Sequence, residues 1–246
     1  MDYSRQIGLI DPTKIKNKSI SLVGVGATGS NIALILAQLG WGNSNHGQGI
    51  LKLFDGDVVE EHNLCNQAYR VEDVGKPKVV AMNDIIMKKC NFPVQTFNKM
   101  VVTGDRDVQS TYVFLLTDTM KSRKEVFENC LKYSFDTDLV VETRMGLRGG
   151  RIYAFNPHVG SEVEAWKNTL CTDEEAEVSV CGASTSVITT AMVIASIACG
   201  RVIQHFTEKY CDAKATRMWN EVMFSLYPEA WYYRIFSDDK PQIIQS

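Results

Sequence analysis

The stretch that decides the fold is Ser19–Gly29, which reads SISLVGVGATG. It is a short β-type run closed by a cluster of glycines, and apolar residues at helical spacing follow from Asn31 to Leu39. A second β-type run, Ile50–Phe54, then ends at Asp55. Strand, tight turn, helix and strand in this order predict a right-handed βαβ unit with parallel strands.

The three glycines of this stretch, Gly24, Gly26 and Gly29, have the spacing of a phosphate-binding turn. In such a turn one glycine permits the sharp bend, one lets the backbone approach phosphate, and one lets helix and strand pack closely. Asp55, at the end of the next strand, is placed to accept hydrogen bonds from ribose hydroxyls. The pattern predicts a nucleotide site, which by itself also suits a nicotinamide or flavin cofactor.

The alternation of strand and helix continues along the chain. Val79–Lys89 predicts a helix, Tyr112–Leu116 a buried strand, and Leu139–Glu142 with Gly150–Phe155 an antiparallel edge pair. Val187–Phe206 is the longest apolar helical segment, but its threonines, serine and arginine favour a core or dimer-interface helix over a membrane span. We therefore expect an α/β fold with a Rossmann-like, mostly parallel sheet and additional antiparallel strands.

The length of 246 residues predicts a single domain, 1–246, since α/β sheets of this size commonly fold as one unit. We expect a nucleotide-binding core over about 19–142, a crossover loop over about 157–180, and a C-terminal helix and tail over 181–246. The polar, irregular stretch Pro157–Glu177 makes that loop a candidate mobile segment.

The composition excludes several classes of function. The chain has 26 basic and 29 acidic residues, a net charge of -3 and no polybasic run, so nucleic-acid and membrane-surface binding are not expected. Its seven cysteines are scattered, without the paired spacing of a zinc site, and no secretory leader precedes them. These features predict reduced thiols and a cytoplasmic protein.

Five short motifs, in order along the chain, resemble those of the ThiF/MoeB/HesA group of ubiquitin-activating-type adenylyltransferases. That family opens on Tyr-x-Arg-Gln-Ile, and carries Asp-x-Asp-x-Val, Asn-Leu-x-Arg-Gln, Gly-x-Pro-Lys and a metal-binding aspartate segment. The matching segments are Tyr3–Ile7, Asp55–Val59, Asn63–Gln67, Gly75–Lys78 and Thr117–Arg123. The match covers about half of the chain and is closest to small bacterial and phage-type members.

The resemblance implies a reaction and a set of roles. Such enzymes use MgATP to adenylate the C-terminal carboxylate of a ubiquitin-like or sulfur-carrier protein. It implies that Asp55 holds the ribose, that Asn63 and Lys78 contact the triphosphate, and that Asp118 carries Mg²⁺. It further implies a homodimer in which Arg5 reaches the phosphates of the other subunit. Cations and a metal suit this chemistry, because the attack of a carboxylate on a phosphate brings anions together.

Two positions depart from the family pattern. Asn66 stands where the family has a phosphate-binding arginine, and Thr119 stands where an asparagine follows the metal-binding aspartate. Arg70 would share a face with Asn66 if the segment were helical, and would then restore the missing charge. Arg144 and Arg148, beyond a predicted strand end, are further candidates for contact with the partner tail or the phosphates. The predicted nucleotide-binding residues are Gly24, Gly26, Gly29, Asp55, Asp57, Asn63, Arg70, Lys78 and Asp118.

A cysteine nucleophile is expected after the crossover loop. Cys181 precedes the long helix, where the helix dipole favours a thiolate, and related enzymes place a reactive cysteine at this point of the chain. Cys171, within the loop, is its rival. The predicted catalytic residues are thus Arg5, Lys78, Asp118 and Cys181.

Two alternatives remain open on the sequence. An NAD-dependent oxidoreductase also needs the glycines and Asp55, but it leaves Asn63, Lys78 and Asp118 unexplained. The second alternative is a catalytically silent partner subunit, which scaffolds a dimer and donates Arg5. Asn66 is the feature that supports this alternative.

Overall fold

The computed structural model describes residues 2–6, 9–10, 12–43, 49–172, 187–211, 218–236 and 242–243. In this part of the chain nine strands form one mixed sheet, in the order β3-β2-β1-β4-β5-β6-β7-β8-β9. The strands are β1 (Ile20–Val23), β2 (Leu51–Phe54), β3 (Gln95–Phe97), β4 (Tyr112–Leu115), β5 (Leu139–Met145), β6 (Gly149–Phe155), β7 (Glu221–Leu226), β8 (Glu229–Arg234) and β9 (Gln242–Ile243).

The first half of the sheet is parallel. β1 pairs with β2 on one side and with β4 on the other, and β3 and β5 extend the sheet outward in parallel. All four residues of β1 and of β4 are buried, which explains why both read as unbroken apolar runs rather than as alternating patterns. The Rossmann-like half of the predicted fold is confirmed.

The second half of the sheet is antiparallel, from β5 through β9. The predicted pairing of β5 with β6 is confirmed, but the prediction that this pair forms an edge is wrong. β6 also pairs with β7, so the sheet continues for three more strands. The strands beyond the long apolar helix were not predicted, because the half-exposed residues of β7 and β8 lack a clean alternation of apolar and polar side chains.

Five α-helices flank the sheet in the described residues. They are α1 (Ala27–Gln38), α2 (Lys78–Cys90), α3 (Met120–Val126), α4 (Gly160–Lys167) and α5 (Ile188–Tyr210), and a π-helical turn, Phe127–Leu131, continues α3. α1, α2 and α5 bury their apolar sides in one core on one face of the sheet. α3 and α4 pack into a second core on the other face, around Trp166.

The segment Pro157–Glu177 is not wholly the irregular loop that its polarity suggested. Residues 160–167 form α4, whose Val163 and Trp166 are buried against β6 and the turn after α3. Two large apolar residues three positions apart are enough to seat a short helix on the sheet, although the rest of its surface is polar. The remainder of the predicted segment, residues 173–177, lies outside the described residues.

α5 is long and apolar enough to cross a membrane by length and composition alone. It packs on α1, β5 and β6, and residues such as Ile194, Ala198 and Val202 are fully buried there. Because a core helix satisfies the same criteria, this packing supports the predicted core helix.

Candidate functional site

The glycine-rich turn between β1 and α1 has the geometry that its spacing predicts. Gly24 has a φ of +102°, which side chains rarely tolerate. A methyl group at Gly29 would lie 2.2 Å from the carbonyl oxygen of Gly24, so helix and turn approach too closely for any other residue. Gly26 differs, because a methyl group there would meet nothing within 4 Å. The turn therefore leaves open space at the N-terminus of α1, where unpaired backbone N–H groups favour an anion.

Asp55 is held at the end of β2 by two backbone amides. The N–H of Val25 donates to its Oδ2 at 2.7 Å and the N–H of Asp57 to its Oδ1 at 2.9 Å. Burial raises the pKa of Asp55, and these two hydrogen bonds and Lys78 oppose that effect. A carboxylate has about four acceptor positions, so two remain for ribose hydroxyls.

The second and fourth motifs meet in space, although 21 residues separate their key side chains. The backbone of Asp57–Val59 pairs with residues 75–78, and the N–H of Lys78 donates to the carbonyl of Asp57 at 2.9 Å. Nζ of Lys78 then lies 3.1 Å from Oδ2 of Asp57. Lys78 is mostly buried at the first turn of α2, so its ammonium group is fixed in position rather than free in solvent.

Two adjoining cavities open at the carboxyl ends of the parallel strands. The main cavity has a volume of about 780 Å³, and the side cavity of about 220 Å³. Both are lined by Gly26, Asp57, Lys78, Leu116, Thr117 and Asp118. The main cavity adds Gly29, Glu60, His62, Asn63, Asn66 and Arg123, and the side cavity adds Asp55, Phe54, Lys99 and Met100. This is the position at which open α/β sheets bind ligands.

Asp118 is, with Asp57, one of the two acids common to both cavities, and it is exposed there. It lies three residues after the end of β4 and just before α3, whose N-cap is Thr119. The hydroxyl of Thr119 accepts a hydrogen bond from the backbone N–H of Ser122 at 3.1 Å. Because threonine and asparagine both serve as N-caps, the departure from the family at this position keeps the helix start intact.

The two cavities offer one or two carboxylates that could bind a metal ion, but they do not offer a complete set of protein ligands for one. In the described residues no group of three or more His, Cys, Asp or Glu side chains is placed to hold a metal. Mg²⁺ bound with a nucleotide needs only one or two carboxylates, since phosphates and water complete its coordination. The exposed Asp118, with Asp57 across the same cavities, fits that requirement.

Arg70 does not restore the charge that Asn66 lacks. The helix that this prediction required does not form: Glu61–Cys65 is a short 3-10 helix, and Arg70 itself is extended. Its guanidinium instead binds Asp73 at 2.8 and 3.0 Å and Glu72 at 2.9 Å. Arg70 is absent from the lining of both cavities, whereas Asn66 lines the main one.

Asp73 is the centre of this local network, and we expect Asp73→Asn to cost about 1.5–3 kcal/mol of stability at pH 7. Its carboxylate is fully buried and accepts from Arg70 and Lys76. Burial favours a higher pKa, but the hydrogen bonds from Arg70 and Lys76 prevail and the pKa of Asp73 lies below its ordinary value. The measurement is urea unfolding at pH 7 and at pH 3.5.

The sign of the pH effect follows from the lowered pKa. The stabilisation is fully present above the unfolded-state pKa of about 3.9 and is lost progressively as the pH falls from there through the lower folded-state pKa, so the difference between the two proteins should narrow at pH 3.5 and further in stronger acid. Glu72→Gln, which removes an exposed partner of the same arginine, is the matched control and should cost less than about 1 kcal/mol. If the two variants lose equal stability at pH 7, Asp73 is not the centre of this network.

Arg144 lies within the core, and the prediction that it faces a partner tail or phosphates is wrong. It is 3% exposed and pairs with the buried Glu142, with its Nε 3.0 Å from Oε2. It also donates to the carbonyl and hydroxyl of Thr169 at 2.6 and 2.9 Å. Arg123, which lines the main cavity, lies 3.0 Å from the other oxygen of Glu142. Arg148 is exposed at the tip of the β5–β6 hairpin.

Arg5 is exposed and does not line either cavity of its own chain. Its neighbours Tyr3 and Gln6 are fixed to the far end of α1: Asn43 donates to the hydroxyl of Tyr3 at 3.1 Å, and Gln6 donates to the carbonyl of Leu39 at 2.9 Å. The main cavity is at the opposite end of this 12-residue helix, which is about 18 Å long.

Cys181 lies outside the described residues. Its rival Cys171 is partly exposed in a third depression, lined in addition by Met120, Lys121, Lys124 and Lys167. α3 presents Arg123 to the main cavity and Met120, Lys121 and Lys124 to this depression. The two openings therefore lie on different sides of α3, and Cys171 is not in the main cavity.

Some lining residues of the main cavity were not predicted. Thr143 and Met145, from the carboxyl end of β5, complete one wall, and His62 lies beside Asn63. Thr143 and Met145 carry no motif that could identify them. His62 had a weak signal, since a histidine adjoins the motif asparagine.

The fold and the two cavities together define a nucleotide-binding α/β protein with a glycine-rich turn, a fixed lysine and an exposed aspartate at one edge. The sequence profile of the ThiF family matches residues 3–228, and the chain belongs to that family.

Curated relatives support this assignment. The chain is 29% identical over 168 residues to the sulfur carrier protein ThiS adenylyltransferase of Escherichia coli K12, a match that covers 64% of this chain and 62% of that protein. It is 41% identical over 75 residues to the adenylyltransferase and sulfurtransferase MOCS3 of Oryza sativa subsp. japonica, covering 30% of this chain and 15% of the relative. The matches thus span less than two thirds of the length of these relatives.

Solved structures show the same fold. PaaA superposes with a TM-score of 0.65 at 20% identity, over 94% of this chain and 65% of that one. E. coli MccB with ATP gives 0.62 at 15% identity, over 91% of this chain and 65% of that one. The predicted ThiF/MoeB-like fold class is confirmed.

Proposed function

We propose that this protein uses MgATP to adenylate the carboxylate of a peptide or small carrier protein. The observation that carries the proposal is the pair of adjoining cavities that share Asp118, Asp57 and Lys78 above the glycine-rich turn. ThiF-family membership favours this chemistry over an NAD-dependent oxidoreductase, because an oxidoreductase leaves Lys78 and Asp118 without a role.

The two cavities suit the two ends of ATP. The side cavity joins Asp55 to an apolar wall that includes Val23, Phe54 and Val126, which fits a ribose and a flat purine. The main cavity starts at Gly26 and the N-terminus of α1, and fits the phosphates. Lys78 and Asp118 lie at the junction of the two cavities, where the α-phosphate would sit.

The chemistry needs little from the protein beyond position and charge. A carboxylate oxygen attacks the α-phosphorus, a new P–O bond forms, and the bond to the β-phosphate oxygen breaks to release pyrophosphate. Lys78 and Asn63 would hold phosphate oxygens in line. Mg²⁺ held by Asp118 would supply charge neutralisation. The remaining width of the main cavity, toward Thr143 and Met145, would admit the chain terminus that carries the carboxylate.

We also propose a homodimer in which Arg5 completes the site of the other subunit. The anchoring of Tyr3 and Gln6 at the far end of α1 supports this, because it keeps Arg5 away from the phosphate end of its own helix. Arg5 is exposed, as a residue that acts on a partner must be.

The substrate we favour is the Gly-Gly-type C-terminus of a ubiquitin-like or sulfur-carrier protein. Two relatives are named for adenylyl transfer, one of them to the sulfur carrier ThiS. A later transfer to a thiol remains our proposal, with Cys181 as the nucleophile in preference to Cys171, which lies on the other side of α3 from the main cavity. We place the reaction in the cytoplasm, where thiols stay reduced.

The test begins with ligand binding. MgATP at about 100-fold its Kd should stabilise the fold by about 2.7 kcal/mol, which raises Tm by roughly 5–10 °C for a chain of this size. NADH at the same concentration should give no shift. Carriers ending in Gly-Gly should then support exchange of labelled pyrophosphate into ATP. A shift with NADH alone would support the oxidoreductase, and no shift with either would support a silent partner subunit.

A further inference from the structure

Three carboxylates and two permanent cations line the main cavity, so it carries a net negative charge before any ligand enters. Nζ of Lys78 lies 3.1 Å from Asp57, and Nε of Arg123 lies 3.0 Å from the buried Glu142. Each permanent cation therefore already has a carboxylate partner. The charged and titratable side chains that line this cavity are Asp57, Glu60, His62, Lys78, Asp118 and Arg123.

A triphosphate in this cavity needs positive charge that the permanent cations do not fully supply. Position 66, on the cavity wall, carries a neutral amide, and Arg70 is bound to Asp73 and Glu72 away from the cavity. His62 is the remaining lining residue that can become a cation. It lies on the same 3-10 helix as Asn63 and lines the same cavity as Gly26 and Lys78.

His62 has one ring nitrogen engaged by a carboxylate and the other available for a ligand. Its Nδ1 lies 3.1 Å from Oε2 of Glu60, and the backbone N–H of Glu60 donates to Oδ1 of Asn63 at 2.9 Å. A carboxylate on Nδ1 leaves Nε2 as the atom that can face a ligand, as a donor when the ring is protonated. The side chain is 73% exposed, so it can turn toward phosphate without opening the fold.

We propose that His62 is a phosphate-binding residue of this site, which takes up a proton when ATP binds and thereby supplies the charge that Asn66 lacks. The inference rests on the proposed function, since it requires MgATP in the main cavity. The incoming phosphates would favour the imidazolium form, because a charged ring attracts them and a neutral ring does not. ATP affinity should therefore fall as the pH rises through the range in which histidine titrates.

Calorimetry with Mg²⁺ and a non-hydrolysable ATP analogue tests this directly. Titrations near pH 7 in two buffers of different ionisation enthalpy report the protons taken up on binding. The wild-type chain should take up part of one proton. His62→Gln should take up none and bind about tenfold more weakly, and His62→Lys should bind tightly without proton uptake. Glu61→Gln, a charge change on the same 3-10 helix outside the cavity lining, is the matched control and should behave as wild type.

The failure of this inference is distinguishable from failure of the proposed function. If His62→Gln binds the analogue with unchanged affinity and unchanged proton uptake, the role of His62 is overturned although the chain is still an ATP-binding protein. If His62→Lys restores neither affinity nor pH independence, the charge argument is overturned. If the wild-type chain does not bind MgATP at all, both the inference and the proposed function fall.

Discussion

Asp118→Asn is expected to lower ATP–pyrophosphate exchange by at least about 10²–10³-fold, the loss typical when one preorganised electrostatic group is removed. Asp118 is, with Asp57, one of the two exposed carboxylates common to both cavities, at the point where the α-phosphate would lie. Asparagine keeps the shape of the side chain but removes the charge that would hold Mg²⁺. Exchange is measured with labelled pyrophosphate and an accepted carboxylate substrate.

The fold should survive this change. Asp118 is exposed, and the start of α3 depends on the cap by Thr119 rather than on Asp118. Tm without nucleotide should stay within a few degrees, roughly the effect of a surface substitution. Asp84→Asn, the same charge change at an exposed position of α2 outside both cavities, is the matched control and should exchange normally. If Asp118→Asn exchanges pyrophosphate at the wild-type rate, Asp118 has no role in the reaction.

Arg5→Ala is expected to be nearly as inactive as Asp118→Asn, and mixing the two variants should restore activity. In a dimer with shared sites, the Arg5→Ala subunit keeps Asp118 and receives Arg5 from its partner. Random exchange of subunits makes about half of the dimers mixed, each with one whole site, so about a quarter of wild-type activity should return. The measurement is exchange activity as a function of the mixing ratio.

Subunit exchange must be shown independently, with differently tagged chains that co-purify after mixing. If mixed dimers form and no activity returns, Arg5 acts within its own subunit or has no part in the reaction. The position of Tyr3 and Gln6 at the far end of α1 makes the first of these outcomes hard to reconcile with the structure. A monomeric chain with full activity would overturn the shared site altogether.

The predictions made from sequence were confirmed where residues close together in the chain determine the structure. The glycine turn, β1, α1 and β2 follow from spacing and periodicity over a few residues, and the required backbone shapes appear at Gly24 and Gly29. The helix at α2 and the strand at β4 were likewise recognisable, because α2 buries apolar residues at helical spacing and β4 is an unbroken apolar run. A resemblance in short motifs, carried by Asp55–Val59 and Gly75–Lys78, was enough to identify the family.

The predictions failed where burial, or an unexpected local course of the chain, decides which partner a side chain binds. Arg144 sits just past a predicted strand end, yet Glu142 and Thr169 draw it into the core. Arg70 is four residues from Asn66, but the chain between them is not helical, so Asp73 binds it instead. The spacing of apolar residues along the chain does not indicate which cation a buried carboxylate will bind.

The sequence by itself determined the class of fold, the family and the nucleotide-binding turn, because these depend on backbone conformations that neighbouring residues impose. Only the tertiary structure decided which charges face the cavity. It paired Lys78 with Asp57 and Arg123 with Glu142. It placed Arg70 and Arg144 outside the cavity lining, and it placed His62 and Asn63 in that lining. The reason is physical: a charge acts through distance and burial, and both are set by contacts between segments far apart in the chain.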